Sequence, residues 1–276
     1  MKINYDSIID EEKLFQQHQV DGSIPVKPPV DKLNIFIATP NQGWLVSHYV
    51  RALVQLNTLL AKLKISSRLH LMQSSIVTHG RNLCVAEFLK SPCSHMLFID
   101  SDIEFDTTSF VPMLKANKDI VLTPYPMKVI DFDKARRISK VSGRPIEECG
   151  YYYAMAFIDR NNIEIKEGLC EIDRGPAGFM LIKRGVFDKM IEAYPDMKIK
   201  QTQMINGQMQ KNTYLWNFFD TEFDKESGTF LGEDFAFCKR WRAIKGKIYA
   251  MADPYITHHG NYAYNGRFID EGAKVK

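Results

Sequence analysis

Four carboxylates crowd the end of an apolar run. In "HMLFIDSDIEF", residues Met96 to Ile99 are uniformly apolar, and Asp100, Asp102, Glu104 and Asp106 follow within seven positions. A carboxylate at the end of a buried strand costs too much to leave without a partner. Two carboxylates with one residue between them, at a crevice edge, can be held by a hard divalent cation. Mg²⁺ or Mn²⁺ takes oxygen ligands and completes its shell with substrate phosphates. The plainer alternative is a strand that emerges into solvent on polar residues. Without a cation these like charges repel, so removing Asp102 is expected to leave the fold intact and even to raise its stability.

Other groups with chemical capacity are spread along the chain. Arg81, in "THGRNLCVAEFL", precedes the acidic strand, and a guanidinium there can grip a phosphate or a ribose edge. As a residue on a helix surface it would do neither. Glu233 and Asp234, in "GEDFAFCKRW", open a helix, where the dipole favours carboxylates and capping alone accounts for one of them. "ITHHG" ends a strand on His258 and His259, whose side chains point to opposite faces, so only one easily reaches a given site. Imidazole suits Mn²⁺ better than Mg²⁺. Gly178, after Ala177, lets a backbone come close to a ligand, or simply makes a turn. Lys128, in "TPYPMK", could serve a diphosphate. Tyr214, Trp216, Phe218, Phe219 and Phe223 crowd the segment before the second acidic pair. They form either a stacking platform for a sugar or a hydrophobic cluster that packs the loop.

These groups need a scaffold, and the pattern around them supplies one. "LNIFIATP" reads as a first strand buried on both faces and ended by Pro40. "WLVSHYVRALVQLNTLLAKLK" has apolar residues at helical spacing. "SRLHLMQS" reads as a strand, "GRNLCVAEFLKS" as a helix starting after Gly80, and "HMLFID" as the third strand. "TTSFVPMLKA" is a short helix and "DIVLTPYP" a fourth strand. Alternating strands and helices imply an α/β fold with a mostly parallel central sheet flanked by helices. The ligand crevice of such a sheet lies outside the carboxyl ends of its strands. Thr39, Gln73, Asp100 and Thr123 are expected along that edge. The second half alternates short strands and turns, which points to a smaller antiparallel portion, with helices at about Arg184 to Tyr194 and from Glu233. Phe235, Cys238, Trp241 and Ile244 are expected on one face of the latter. "KIYAMADPYITHHG" reads as a final strand pair.

Asp100-Ser101-Asp102 resembles the Asp-x-Asp motif of the GT-A glycosyltransferases, whose nucleotide-diphospho-sugar site is built on one Rossmann-like α/β domain. "IFIATPNQG" resembles the first strand and base-holding loop of that family. "THGRNLCVAEFL" is similar to its Arg-Asn helix, "DRGPAGFMLIKRGVF" to the glycine loop beside the donor sugar, "GEDFAFCKRW" to its Glu-Asp motif and "ITHHG" to its late histidine. The order of the motifs over residues 33 to 268, and the run "FFDTEFDKESGTFLGEDFAFCKRWR", resemble a group of bacterial and viral glycosyltransferase-like proteins. The resemblance implies metal-dependent transfer of a sugar from a UDP- or GDP-sugar to a hydroxyl of a glycan, glycoconjugate or other acceptor; the aspartate of the Glu-Asp motif favours inversion, and retaining relatives also keep acidic residues nearby. It implies Mn²⁺ or Mg²⁺ held by Asp102, Asp100 and His258, the last matching Thr-His-x-Gly. It implies a donor site made of Thr39, Pro40, Asn41, Arg81, Asp100, Ser101, Ala177 and Gly178, to which the place of Lys128 after the fourth strand adds a cation for the diphosphate or the donor sugar. Asp234 would be the general base, with Glu233 orienting the acceptor or a neighbour, and Trp216, Phe219 and Asp220 would meet the acceptor.

Composition narrows the class. The 276 residues suit a short arm, residues 1–31, rich in turn signals, followed by one domain over 32–276. A net charge of +3 makes no case for a nucleic-acid binder. Five scattered cysteines show no zinc spacing and suit reduced, space-filling thiols. The acidic start is no signal peptide, and no stretch reaches the roughly 20 apolar residues of a membrane helix, so a soluble cytoplasmic protein is expected, with peripheral membrane docking still open. Three rivals stand beside the transferase. A haloacid-dehalogenase-like phosphohydrolase wants Asp-x-Asp-x-Thr, and Glu104 occupies the threonine position. A nucleotidyltransferase needs a glycine-rich basic loop that "TPNQGWLVSHY" lacks. A non-catalytic sugar-binding module has no use for Asp234.

Overall fold

The structure, a computed structural model, describes residues 32–205 and 208–271. The expected arm, 1–31, lies outside the described residues. The first half runs β1 (Asn34–Asn41), α1 (Ser47–Lys62), β2 (Ser66–Gln73), α2 (Val77–Lys90), β3 (His95–Ile99), β4 (Ile103–Phe105), α3 (Phe110–Lys115) and β5 (Ile120–Leu122). Then come β6 (Pro126–Ile130), α4 (Phe132–Ser142), β7 (Tyr151–Tyr153), β8 (Ile165–Lys166), β9 (Leu169–Ile172), β10 (Phe179–Lys183) and α5 (Arg184–Ala193). The last stretch holds β11 (Thr202–Ile205), β12 (Gln208–Lys211), β13 (Glu222–Asp224), β14 (Thr229–Leu231), α6 (Glu233–Ala243), β15 (Ile248–Met251), β16 (Ile256–His259) and β17 (Ala263–Gly266).

Eight strands form the central sheet in the order β2-β1-β3-β10-β5-β15-β9-β8. Pairing is parallel at β2-β1, β1-β3 and β5-β15, and only β10 and β9 run against the common direction. The fold is therefore α/β with a mainly parallel sheet, flanked by helices and accompanied by small antiparallel sheets. The run in β1 that is buried on both faces has a simple cause. Phe36 and Ala38 pack with Cys84, Val85 and Phe88 of α2, whereas Ile35 and Ile37 pack with Tyr49, Leu53 and Leu56 of α1. The same alternation sends Met96 and Phe98 of β3 to one side and Leu97 and Ile99 to the other.

Several boundaries differ from the sequence reading. Helix α2 begins at Val77, so Gly80 lies inside it. A Cβ at Gly80 would stand 3.1 Å from Ser74 Cβ and 3.5 Å from Pro40 Cβ, so close approach of α2 to the ends of β1 and β2, rather than a helix start, accounts for the glycine. The face of α6 that is buried consists of Ala236, Phe237, Cys238 and Trp241, with Phe235 left at the margin. The expected final strand pair, β15 and β16, does not pair. Strand β15 ends before Asp253-Pro254, and β16 lies outside the central sheet, between β17 and β4. That small sheet sets the two histidines beside the acidic turn. Thr39, Gln73, Asp100 and Thr123 do lie at or just beyond the carboxyl ends of β1, β2, β3 and β5.

Arg184, at the start of α5, plays a part that periodicity does not signal. Its buried guanidinium donates to the carbonyls of Phe88, Leu89, Ser91 and Cys93, closing the C-terminal end of α2. Among the described residues no helix is long and apolar enough to cross a membrane.

Candidate active site

Strand β3 ends at Ile99 and hands the chain to Asp100, whose N–H donates to the Gly178 carbonyl at 2.9 Å. Gly178 in turn donates its N–H to the Tyr125 hydroxyl at 3.2 Å. A Cβ at position 178 would stand 2.3 Å from that hydroxyl and 2.7 Å from Asp100 Oδ2, so glycine is required there by space. Burial, with Asp100 and Asp234 nearby, holds the Tyr125 phenol protonated well above its ordinary range.

Arg81 projects from the first turns of α2 and is only 3% exposed. Its Nη2 lies 2.9 Å and 3.0 Å from the two oxygens of Asp100, and its Nε donates to Glu233 Oε1 at 3.2 Å. Burial works against its charge, but Asp100 and Glu233 outweigh burial and raise its pKa. The third nitrogen, Nη1, is buried without a hydrogen-bond partner. A buried, unpaired guanidinium nitrogen is costly, and a ligand oxygen would satisfy it. Glu233 and Asp234 open α6 beside this cation. Asp234 accepts from the Phe235 N–H at 2.7 Å, and burial, then the Glu233 charge, push its carboxyl up to about 6 against the pull of Arg81.

Asp102 looks the other way. Its Oδ2 accepts from Lys128 Nζ at 2.6 Å and lies 3.5 Å from His258 Nε2. Burial raises its pKa, but His258 and Lys128 prevail and bring it to about 2. Asp102 is thus paired, not repelled, and the expectation that its removal would raise stability is reversed. His258 Nδ1 lies 2.9 Å from the Pro126 carbonyl, which can only accept, so Nδ1 carries a proton and Nε2 turns toward Asp102. An imidazole nitrogen and a carboxylate oxygen facing each other leave room for a cation or a second ring proton. An N,O donor set with the distal imidazole nitrogen fixed by a carbonyl fits Mn²⁺. Asp100 is ion-paired with Arg81, which donates to its Oδ2, while its buried Oδ1 has no hydrogen-bond partner. His259, one residue on, faces away, with Nε2 on Glu104 at 2.9 Å.

The remaining expected residues fall around this centre with different freedom. The Thr39 hydroxyl is fully buried against Tyr49 at 2.5 Å and presents no face to a ligand, so its placement in the donor site is corrected to a support of β1. Pro40 is buried, and Asn41 accepts from Gly43 N–H at 2.9 Å, shaping the loop after β1. The Ser101 carbonyl receives Val46 N–H at 3.0 Å, tying the acidic turn to the start of α1. Ala177 is buried under the loop that Gly178 closes. The aromatic platform is corrected too. Phe219 is fully buried and stacks on Phe237 at 4.3 Å, and Trp216 stacks on the buried Phe218, so these rings are core. Asp220 accepts from Asn217 at 2.7 Å. Tyr125 is the participant the sequence reading overlooked; its one signal was a tyrosine between two prolines just past a strand end.

No family model and no curated protein matches the sequence. Solved structures do. A197 from STIV is 18% identical over 83% of this chain and 86% of its own, with a TM-score of 0.42. A glucose-1-phosphate thymidylyltransferase from Bacillus anthracis is 12% identical over 82% of this chain and 89% of its own, with a TM-score of 0.37. A 4-diphosphocytidyl-2C-methyl-D-erythritol synthase from Anaerococcus prevotii is 12% identical over 77% and 96%, with a TM-score of 0.32.

Proposed function

We propose that the chain is a divalent-metal-dependent glycosyltransferase that moves a sugar from a nucleoside diphosphate to an acceptor hydroxyl with inversion. The observation that carries this reading is the pairing, at one sheet edge, of Asp102 with a tautomer-fixed His258, while a second acidic pair, Glu233-Asp234, is joined to Asp100 through Arg81. Mn²⁺ held by Asp102 and His258 would neutralise charge on a departing diphosphate. Lys128 adds a positive charge beside them, and Arg81 Nη1 offers a buried donor to a phosphate or ribose oxygen. Gly178 lets the Tyr125 hydroxyl and Asp100 close together at the end of β3. Asp234, with a pKa of about 6, is ionised at neutral pH yet basic enough to accept a proton. In the step proposed, the acceptor oxygen bonds to the anomeric carbon and its proton goes to Asp234. The anomeric C–O bond breaks, and its electron pair leaves with the diphosphate.

A panel of nucleoside diphosphate sugars, screened for thermal stabilisation with and without Mn²⁺ and then for release of nucleoside diphosphate, tests the reading. Stabilisation by one donor only with metal, abolished in Asp102→Ala, supports it. Pyrophosphate release from a nucleoside triphosphate and a sugar phosphate would replace it with nucleotidyl transfer. Turnover of aryl phosphates would replace it with a phosphohydrolase, and binding with no turnover, with or without acceptors, would leave a non-catalytic module.

A further inference from the structure

The ladder of β4 and β16 has a second face, away from Asp102 and His258. There His48 from the first turn of α1, Glu104 from β4 and His259 from the end of β16 meet. His259 Nε2 is 2.9 Å from Glu104 Oε2, and His48 Nδ1 is 3.4 Å from Glu104 Oε1. The two imidazoles stack, with centroids 4.6 Å apart and planes 12° from parallel. One ligand atom from each of the three residues lies within 4.8 Å of the others. We propose that His48, Glu104 and His259 form a second metal site, distinct in chemistry from the first and suited to Zn²⁺ or Co²⁺.

Three arguments support the assignment. First, the donor set is two imidazole nitrogens and one carboxylate oxygen. That set is borderline-soft and is used for zinc with a fourth position left open, whereas Mg²⁺ prefers oxygen. Second, Arg51 Nη2 approaches His48 Nδ1 at 3.4 Å and also bonds Glu104. In the tautomer with the proton on Nε2, His48 Nδ1 accepts from Arg51 and presents its lone pair toward the same space as the carboxylate. A basic side chain thus sits by these ligands as Lys128 sits by Asp102, and the Arg51 side chain is 61% exposed, able to swing clear. Third, the closure required is small. Tetrahedral zinc with bonds of about 2.0–2.2 Å holds its ligand atoms roughly 3.3–3.6 Å apart. His48, on a half-exposed side chain, can rotate to close the difference. Glu104 and Arg51 also line a groove of about 740 Å³ with Thr58, Lys62 and Tyr255, so the fourth ligand is water or a small anion from solvent.

The test uses the full chain freed of metal by a chelator. Zn²⁺ is titrated calorimetrically, and Co²⁺ is followed by its visible ligand-field absorption. Wild type, His48→Ala, Glu104→Gln, His259→Ala and Asp102→Asn are compared. The expected result is saturable Zn²⁺ uptake, with a Co²⁺ spectrum typical of low coordination that Zn²⁺ bleaches. Losing one ligand should weaken this by at least about 100-fold, the upper range seen for mere outer-shell changes. Asp102→Asn should retain it. His48→Ala, at an exposed position, keeps the test valid should the Glu104 or His259 variants fail to fold. Equal affinity in wild type and His48→Ala, loss confined to Asp102→Asn, or no saturable uptake at all would overturn the proposal. The cluster would then be an ion-paired network of Arg51, Glu104 and His259.

Discussion

Replacing Asp234 by asparagine should make the protein more stable and far less active. Its carboxyl titrates at about 6 in the fold against 3.8 for a free aspartate, mainly because burial disfavours the charge. Between those values the folded chain holds more protons than the unfolded one, so stability falls as pH rises through about 4 to 6. At pH 7 the ionised group costs roughly 3 kcal/mol, from 1.36 kcal/mol per pH unit. Asparagine removes that cost and can still accept from the Phe235 N–H. Its amide hydrogens need partners, which takes back roughly 1–2 kcal/mol. The net gain at pH 7 is about 1–2 kcal/mol, or about 2–4 °C in Tm for a chain of this size. At pH 4 wild-type Asp234 is protonated as well, so the gain should turn into a loss of about 1 kcal/mol set by the amide hydrogens. Single-turnover transfer should fall by about 10² to 10⁴. In wild type, kcat/KM should climb with pH up to about 6 and level off, because only the carboxylate accepts a proton, and the variant should lose that limb. Scanning calorimetry at pH 4 and 7 with rapid-quench transfer gives all of these. An unchanged Tm difference between the two pH values, with transfer near the wild-type rate, would refute both the burial argument and the assignment of the base.

Three more outcomes follow from the same geometry. Asp102→Asn should lower stability at pH 7 by about 1–2 kcal/mol, discounted for the exposed Lys128 partner, and flatten the loss that wild type shows as pH falls from about 4 toward 2; denaturant titrations across that window check it. It should also abolish Mn²⁺-dependent donor binding by calorimetry. Gly178→Ala forces a methyl against the Tyr125 hydroxyl and Asp100, so a loss of about 1–3 kcal/mol together with weakened donor affinity is expected from thermal melts with and without donor. Arg184→Met takes the guanidinium from four carbonyls at the end of α2, of which that of Phe88 keeps its bonds from Ser91, and should cost about 3–5 kcal/mol in urea denaturation, while activity per folded molecule stays at the wild-type level.

What the sequence disclosed depended on whether a signal was local. An apolar run buried on both faces and stopped by aspartate marked β3 and the sheet edge, because strand period and helix period leave opposite traces in a few residues. The two histidines were legible as facing opposite ways for the same reason. Pairings between distant segments were not. Nothing near Arg81 shows that Asp100 and Glu233 engage it, or that Lys128 and His258 neutralise Asp102; these contacts exist only after the sheet has brought the segments together. The aromatic residues before α6 were ambiguous because stacking on a sugar and stacking on Phe237 demand the same side chains. Gly80 misled in a related way, since a glycine needed for close packing of α2 looks in sequence like a helix boundary.

Strand β16 ties two chemistries to a single backbone. Its His258 serves the Asp102 side and its His259 the Glu104 side, and the His259 N–H donates to the Asp102 carbonyl at 2.8 Å. The two faces therefore share one mechanical rung. Shifting β16 by one residue against β4 would exchange the imidazoles, bringing the wrong ring to each carboxylate at once. A deletion anywhere between Ile256 and His258 should thus be heard on both faces, even where no side chain at either site is changed. The same rung gives a route by which occupation of one face is felt on the other, through displacement of a backbone only four residues long in the ladder.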